Sequence, residues 1–144
     1  MIKLKKLHLD QIICEAIASY PYECCGLLVG NINGEFQNIN DVVPSKNIIK
    51  NRGNNYFEIN PQDRINLERK LRGTREQIIG HFHSHPDCPC TPSRMDLELA
   101  YEPKLIWIIV SILEGKFNNF AAYRLDKTAK KFSELSCEIT DQKI

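Results

Sequence analysis

No run of apolar residues in this 144-residue chain approaches the roughly 20 that a membrane-spanning helix needs, and the opening Met1-Ile-Lys-Leu-Lys-Lys lacks the unbroken apolar core of an export signal. Nor is there a surplus of either charge: 19 Lys and Arg stand against 18 Asp and Glu, a net charge of +1. A chain so balanced offers no overall field to a phosphate backbone or an anionic membrane, which argues against nucleic acid and membrane partners. Internal repeats, low-complexity stretches and linkers are also missing. A single domain over residues 1–144 is therefore expected, cytoplasmic, and large enough to bury about two-thirds of the surface of its unfolded chain.

What is present is the composition of an ordinary globular protein, 42% hydrophobic and 26% charged. The basic clusters Lys3, Lys5, Lys6 and Arg69, Lys70, Arg72, Arg75 read as solvated faces. Two of the six cysteines are adjacent (Cys24-Cys25) and two are one residue apart (Cys88-Pro-Cys90). With no export signal they are expected to be free thiols.

Ile2 to Leu9 alternates like a strand, and Asp10 stands where an N-cap precedes a helix carrying Ile12, Ile13, Ala16 and Ile17 on one face, ended by Tyr20-Pro21. Cys24 to Val29, then Asn33-Gly34, then Phe36 to Val43 reads as a hairpin. Pro44 to Asn55 reads as a loop, and Tyr56 to Ile59 as a short strand. Asn60-Pro61 caps a helix running to Gly73. Strands follow over Gln77–His83, Leu105–Leu113, Phe117–Leu125 and Phe132–Ile139, with a helix starting at Ser93 between the first two of these. Interleaved strands and helices imply a mixed α/β (α+β) architecture, a mixed sheet flanked by helices.

The chemistry concentrates in Gly80-His-Phe-His-Ser-His-Pro-Asp-Cys-Pro-Cys-Thr-Pro-Ser-Arg-Met-Asp96. His81, His83 and His85 alternate, and residues two apart on a strand share a face at about 7 Å, so two successive imidazoles can meet one ion. Past Pro86 the chain must leave the strand, and a helix re-entered at Ser93 carries Asp96 in its first turn, where its carboxylate can swing back as a third ligand. Three protein ligands with one position left to water is the arrangement of a catalytic zinc site.

His83-Ser-His85-Pro86, six residues, Ser93, two residues, Asp96 resembles the signature of the JAMM (MPN-plus) metallopeptidases. Pro21-Tyr-Glu23-Cys-Cys25-Gly26-Leu-Leu-Val-Gly30 is similar to the family's glutamate-bearing segment, and the element order agrees from about Ile2 to Leu125. The resemblance implies a cytidine-deaminase-like JAMM/MPN fold and one zinc ion held by His83, His85 and Asp96. It further implies Glu23 as general base and later proton donor, and Ser93 as a stabiliser of the oxyanion. Ser93-x-x-Asp96 also reads as a helix-capping pair, and the two roles are compatible. His81 falls outside the motif and is expected to be packed or to lie behind the ligands. Deaminase chemistry is disfavoured, because Cys88 and Cys90 are one residue apart instead of two and His85 stands where His-x-Glu needs its glutamate.

Compact bacterial members of this family are associated with ubiquitin-like sulfur-carrier proteins, whose C-terminal tails they trim. The resemblance therefore implies hydrolysis of a peptide or isopeptide bond at such a tail. The alternatives are a deubiquitinase-like isopeptidase, for which the chain is short of the insertions of eukaryotic relatives, and a non-catalytic MPN scaffold. The loop from Ser45 to Asn55 is expected to flank the cleft and to order on substrate.

Overall fold

The computed structural model describes residues 1–49, 57–126, 128 and 130–141. Its elements are β1 (Ile2–Lys5), α1 (Lys6–Ser19), β2 (Cys25–Asn33), β3 (Phe36–Ser45), α2 (Pro61–Leu71), β4 (Gln77–Pro86), α3 (Arg94–Glu98), β5 (Ile106–Leu113), β6 (Lys116–Asp126), β7 (Lys131–Leu135) and β8 (Cys137–Thr140). The strands form one mixed sheet in the order β7-β6-β5-β4-β2-β3-β1-β8. β4 lies in its interior, antiparallel to β2 and parallel to β5. β7 and β8 stand at opposite ends of that order, yet Ser136 alone separates them in the chain, so the sheet curls until its ends meet. At this seam the Ile2 N–H donates to the Ser136 carbonyl at 2.9 Å.

The unbroken apolar runs of β2 and β5 follow from burial on both faces. Leu28, Phe82, Ile106, Ile108 and Val110 pack with Leu9, Ile12 and Ala16 of α1 on one side. Leu27 and Val29 turn to the other side, where Leu67 of α2 meets them, and Trp107 and Ile109 join Tyr123 in a third cluster. Each such side chain withdrawn from water contributes about 1.5–3 kcal/mol. Helix α2 begins as its sequence dictates, with Pro61 in its first turn and the Asn60 side chain accepting the Gln62 N–H at 3.0 Å. Among the described residues no helix is long and apolar enough to cross a membrane.

Several elements differ from the sequence expectation. β1 stops at Lys5 and α1 starts at Lys6, four residues before the expected cap. The buried residues His8, Leu9, Ile12 and Ala16 follow a helical period, whereas a strand would have put Leu7 beside Leu9; Leu7 is instead 59% exposed. Asp10 sits inside the helix, on its outer face, paired with Lys6 at 2.8 Å. Phe132–Ile139 is two strands, because its first part pairs with β6 and its second with β1 on the far side of the seam. β3 continues through Pro44 and Ser45, and of the expected strand over Tyr56–Ile59 only the bridge between Ile59 and Asn47 is formed among the described residues. Half of the expected loop, residues 50–55, lies outside the described residues, as does Tyr56.

Gly80 pairs with Ile106 across β4 and β5, and a Cβ there would run into the Ile106 carbonyl oxygen and side chain. The carbonyl cannot retreat without opening the pairing that carries His83 and His85. Gly80→Ala should lower stability by about 1–3 kcal/mol, read as a lower midpoint of urea denaturation with unchanged slope. A variant as stable as wild type would show that the two strands have room to part.

Candidate metal centre and active-site cleft

β4 carries His81, His83 and His85 on the face opposite Phe82 and Ser84. Glu23 reaches the same point from the segment just before β2. Its neighbour Cys24 is locked to β4 twice: the Cys24 N–H donates to Ser84 Oγ at 2.8 Å, and the Cys24 carbonyl accepts the Ser84 N–H at 3.2 Å. Glu23, His83 and His85 thereby present carboxylate and ring-nitrogen atoms within 4.8 Å of one another, all three buried.

Asp96 arrives from α3. Ser93 is the N-cap: its hydroxyl accepts the Asp96 N–H at 3.0 Å, and Asp96 Oδ2 accepts the Ser93 N–H at 2.8 Å, a reciprocal capping box. That lock turns the carboxylate inward. Asp96 Oδ2 lies 3.3 Å from His83 Nε2 and 3.1 Å from His85 Nε2, and the two nitrogens are 3.1 Å apart. Ligands about 2.0–2.1 Å from a tetrahedral first-row ion stand roughly 3.3–3.4 Å from each other, so the three atoms are spaced as such an ion requires. His85 Nδ1 donates to the Pro89 carbonyl at 2.9 Å, which leaves the Nε2 lone pair facing the centre. The donor set therefore fits a divalent metal.

Burial and charge set the protonation of each group. Burial drives the Glu23 carboxyl up to about 8, and the neighbouring Asp96 adds to the rise while His85 opposes it. Burial would raise Asp96 too, but His83, His85 and the Ser93 N–H all favour its anion and hold it well below the usual carboxylate range. Burial lowers His83, against the pull of Asp96. For His85 burial also lowers, yet the hydrogen bonds to Asp96 and Pro89 prevail and leave it raised.

A cleft of about 370 Å³ opens on this centre, lined by Glu23, His85, Cys88, Pro89, Ser93 and Met95 among others. Ser93 is exposed on its wall, its hydroxyl proton still available to a ligand. His81 is turned away, its ring against Trp107 at 4.2 Å and 6.4 Å from that of His83. All six cysteines are free thiols. Burial pushes Cys24 to about 11 and Cys25 to about 12, which makes them inert packing groups. Cys88 and Cys90 contribute through their carbonyls, which accept the Ser111 and Tyr123 hydroxyls.

Two neighbours of the centre carry no signal in the sequence. The Phe57 ring stacks on His83 with centroids 4.2 Å apart and planes at 15°, and Asn47 donates to the Glu23 carbonyl at 3.0 Å. Both sit far along the chain from the histidines, in a stretch without periodicity or motif.

The family model describing prokaryotic homologs of the JAB domain matches residues 5–126. The chain belongs to this family. It is a hydrolase of the JAMM type. The desampylase of Pyrococcus furiosus is 31% identical over 106 residues, covering 72% of this chain and 70% of that protein. The CysO-cysteine peptidase of Mycobacterium tuberculosis is 23% identical over 116 residues, covering 81% and 77% of the two chains. In three dimensions the JAB-family chain superposes on protein DSY2949 from Desulfitobacterium hafniense with a TM-score of 0.85 and 26% identity, over 99% of this chain and 94% of the other.

The Glu23 shift makes the metal-free JAB domain sensitive to pH with a definite sign. A carboxyl of ordinary pKa 4.5 raised to about 8 by folding contributes stability that is full below about pH 4 and is lost as pH rises through 8. In the presence of a chelator, wild type should therefore lose roughly 2–4 kcal/mol relative to Glu23→Gln between pH 5 and pH 9 in urea titrations. A stability difference that stays flat over this range would mean that Glu23 is solvated.

Proposed function

We propose that this protein hydrolyses a peptide or isopeptide bond at the C-terminal tail of a ubiquitin-like sulfur-carrier protein, with one zinc ion held by His83, His85 and Asp96. The observation that carries this reading is the convergence of His83 Nε2, His85 Nε2 and Asp96 Oδ2 within 3.3 Å, with the Glu23 carboxyl brought to the same point in an open cleft. The names of the two curated relatives, a desampylase and a CysO-cysteine peptidase, favour a substrate of the modifier or carrier class. A non-catalytic scaffold would have no use for an intact ligand set beside a buried acid. The geometry also disfavours a deaminase, since neither Cys88 nor Cys90 belongs to the convergent group.

Bound there, zinc would lower the pKa of a water and polarise the scissile carbonyl. Glu23 supplies the proton traffic. Its Oε1 is buried and has no hydrogen-bond partner among the described residues, so it is free to take a proton from the attacking water and return it to the leaving amine. Glu23, beside a centre that would carry a dication, would have its pKa drawn back down and be ionised at neutral pH. The Ser93 hydroxyl, capping α3 through its lone pair, donates its proton toward the developing oxyanion from the cleft wall. Asp96 stays anionic, and its bond from the Ser93 N–H holds the carboxylate in place.

Metal analysis combined with cleavage of a carrier bearing a C-terminal extension tests this reading. The wild type should hold one zinc per chain, and Glu23→Gln should retain it while turnover falls by about two to four orders of magnitude. Equal cleavage by both forms would remove Glu23 from the chemistry. Ser93→Ala separates the two roles of the serine: losing the cap should cost about 1 kcal/mol of stability, and losing the oxyanion donor should lower kcat at least about tenfold. Full turnover with only the stability loss would assign Ser93 to the cap alone.

A further inference from the structure

The hydrogen bonds around Glu23 fall on its main chain and on its neighbour Cys24. Glu23 itself lines two cavities, the cleft over the histidines and a second of about 520 Å³ lined by Glu15, Tyr22, Ser45, Lys46 and Asn47 among others. Its Oε1 has no hydrogen-bond partner among the described residues. The aim of the carboxylate then depends on how its main chain is held. One anchor is the Cys24–Ser84 pair that follows it. The other is Asn47.

Asn47 is 7% exposed. Its Nδ2 donates to the Glu23 carbonyl at 3.0 Å, while its Oδ1 accepts the N–H of Glu58 at 3.0 Å and that of Ile49 at 3.2 Å. The backbone reinforces this clamp: the Ile48 N–H donates to the Glu58 carbonyl at 3.2 Å, and Asn47 bridges Ile59. Glu58 follows Phe57, the ring stacked on His83. One planar amide, its donor directed to Glu23 and its acceptor to Glu58, thus ties the segment of the acid to the segment that covers the histidine. An amide can do this because it presents both polarities at a fixed spacing.

We infer that Asn47 is a positioning residue that fixes Glu23 relative to His83 and His85 for proton transfer, an inference that rests on Glu23 acting as the base proposed above. Asn47→Asp is the decisive variant. It keeps the shape and the acceptor but sets a carboxylate oxygen against the Glu23 carbonyl. Its crystal structure should show the Glu23 carboxylate moved out of the 4.8 Å group it forms with the two histidines. Loaded with zinc to the wild-type level, the same variant should lose about ten- to a hundredfold in kcat at unchanged KM, the scale on which a displacement of about 1 Å acts. Asn47→Thr, which retains a side-chain acceptor but is too short to reach Glu23, gives the same two readouts should the added charge prevent folding. A folded, zinc-loaded variant with Glu23 in place, or with Glu23 displaced and kcat unchanged, overturns the inference. Should Glu23→Gln cleave like wild type, the base assignment fails on its own, and the position of Glu23 in the Asn47→Asp crystal still decides whether Asn47 places it.

Discussion

The exchange of hydrogen bonds between Cys24 and Ser84 is the constraint on which the centre depends. It joins the start of β2 to β4 at the register that sets Cys25 opposite His83. Shifting that pairing by one residue would turn every side chain of one strand to the other face. The imidazoles would then point into the packing around α1, and Phe82 would point into the cleft. The register is enforced from both sides of the sheet. Phe82 and Leu28 are fixed in one apolar layer, while Leu27 and Val29 are fixed under α2 in the other. The hydrophobic core thereby decides where a carboxylate meets two histidines that lie about sixty residues further along the chain.

Much of this was legible in the sequence because its signals are local. His83 and His85 share a strand face by virtue of a two-residue period, and Ser93 and Asp96 share a helix start by virtue of capping geometry. Glu23 was not legible by physics alone, since a glutamate ahead of an apolar strand is ordinarily just solvated; the family resemblance singled it out. Phe57 escaped as a neighbour of the site, and Asn47 was legible only as part of a loop expected to flank the cleft. Their roles come from tertiary contact across the stretch between β3 and α2, and no periodicity in that stretch foretells that one residue will meet Glu23 and another His83. The split of Phe132–Ile139 escaped for a related reason: its alternation is continuous, but the sheet's closure hands its two halves to different neighbours.

The capping box of α3 shows how a stability device becomes part of a site. An aspartate three residues after a serine N-cap ordinarily satisfies backbone donors at a helix start and nothing more. Here the cap is placed at the mouth of the cleft, so the oxygen that accepts the Ser93 N–H also faces His85 and, together with its twin, His83. That hydrogen bond removes the freedom of the carboxylate to rotate away, and it lowers the cost of keeping the group ionised while 3% exposed.

Charge balance explains why so polar a cluster is tolerated in a buried position. Burial, with a smaller contribution from repulsion by the nearby Asp96 carboxylate, makes Glu23 hold its proton up to about 8, while Asp96 remains an anion. With two neutral imidazoles the fully ionised site carries two negative charges, which a dication cancels. A monovalent ion would leave one carboxylate uncompensated, and a third ionised acid would restore the repulsion. The arrangement is therefore matched to a divalent ion in charge as well as in spacing. In the mechanism proposed above, the acid that the fold keeps protonated without such an ion is the one that acts as the base, so occupancy of the centre and readiness of Glu23 would be one electrostatic event.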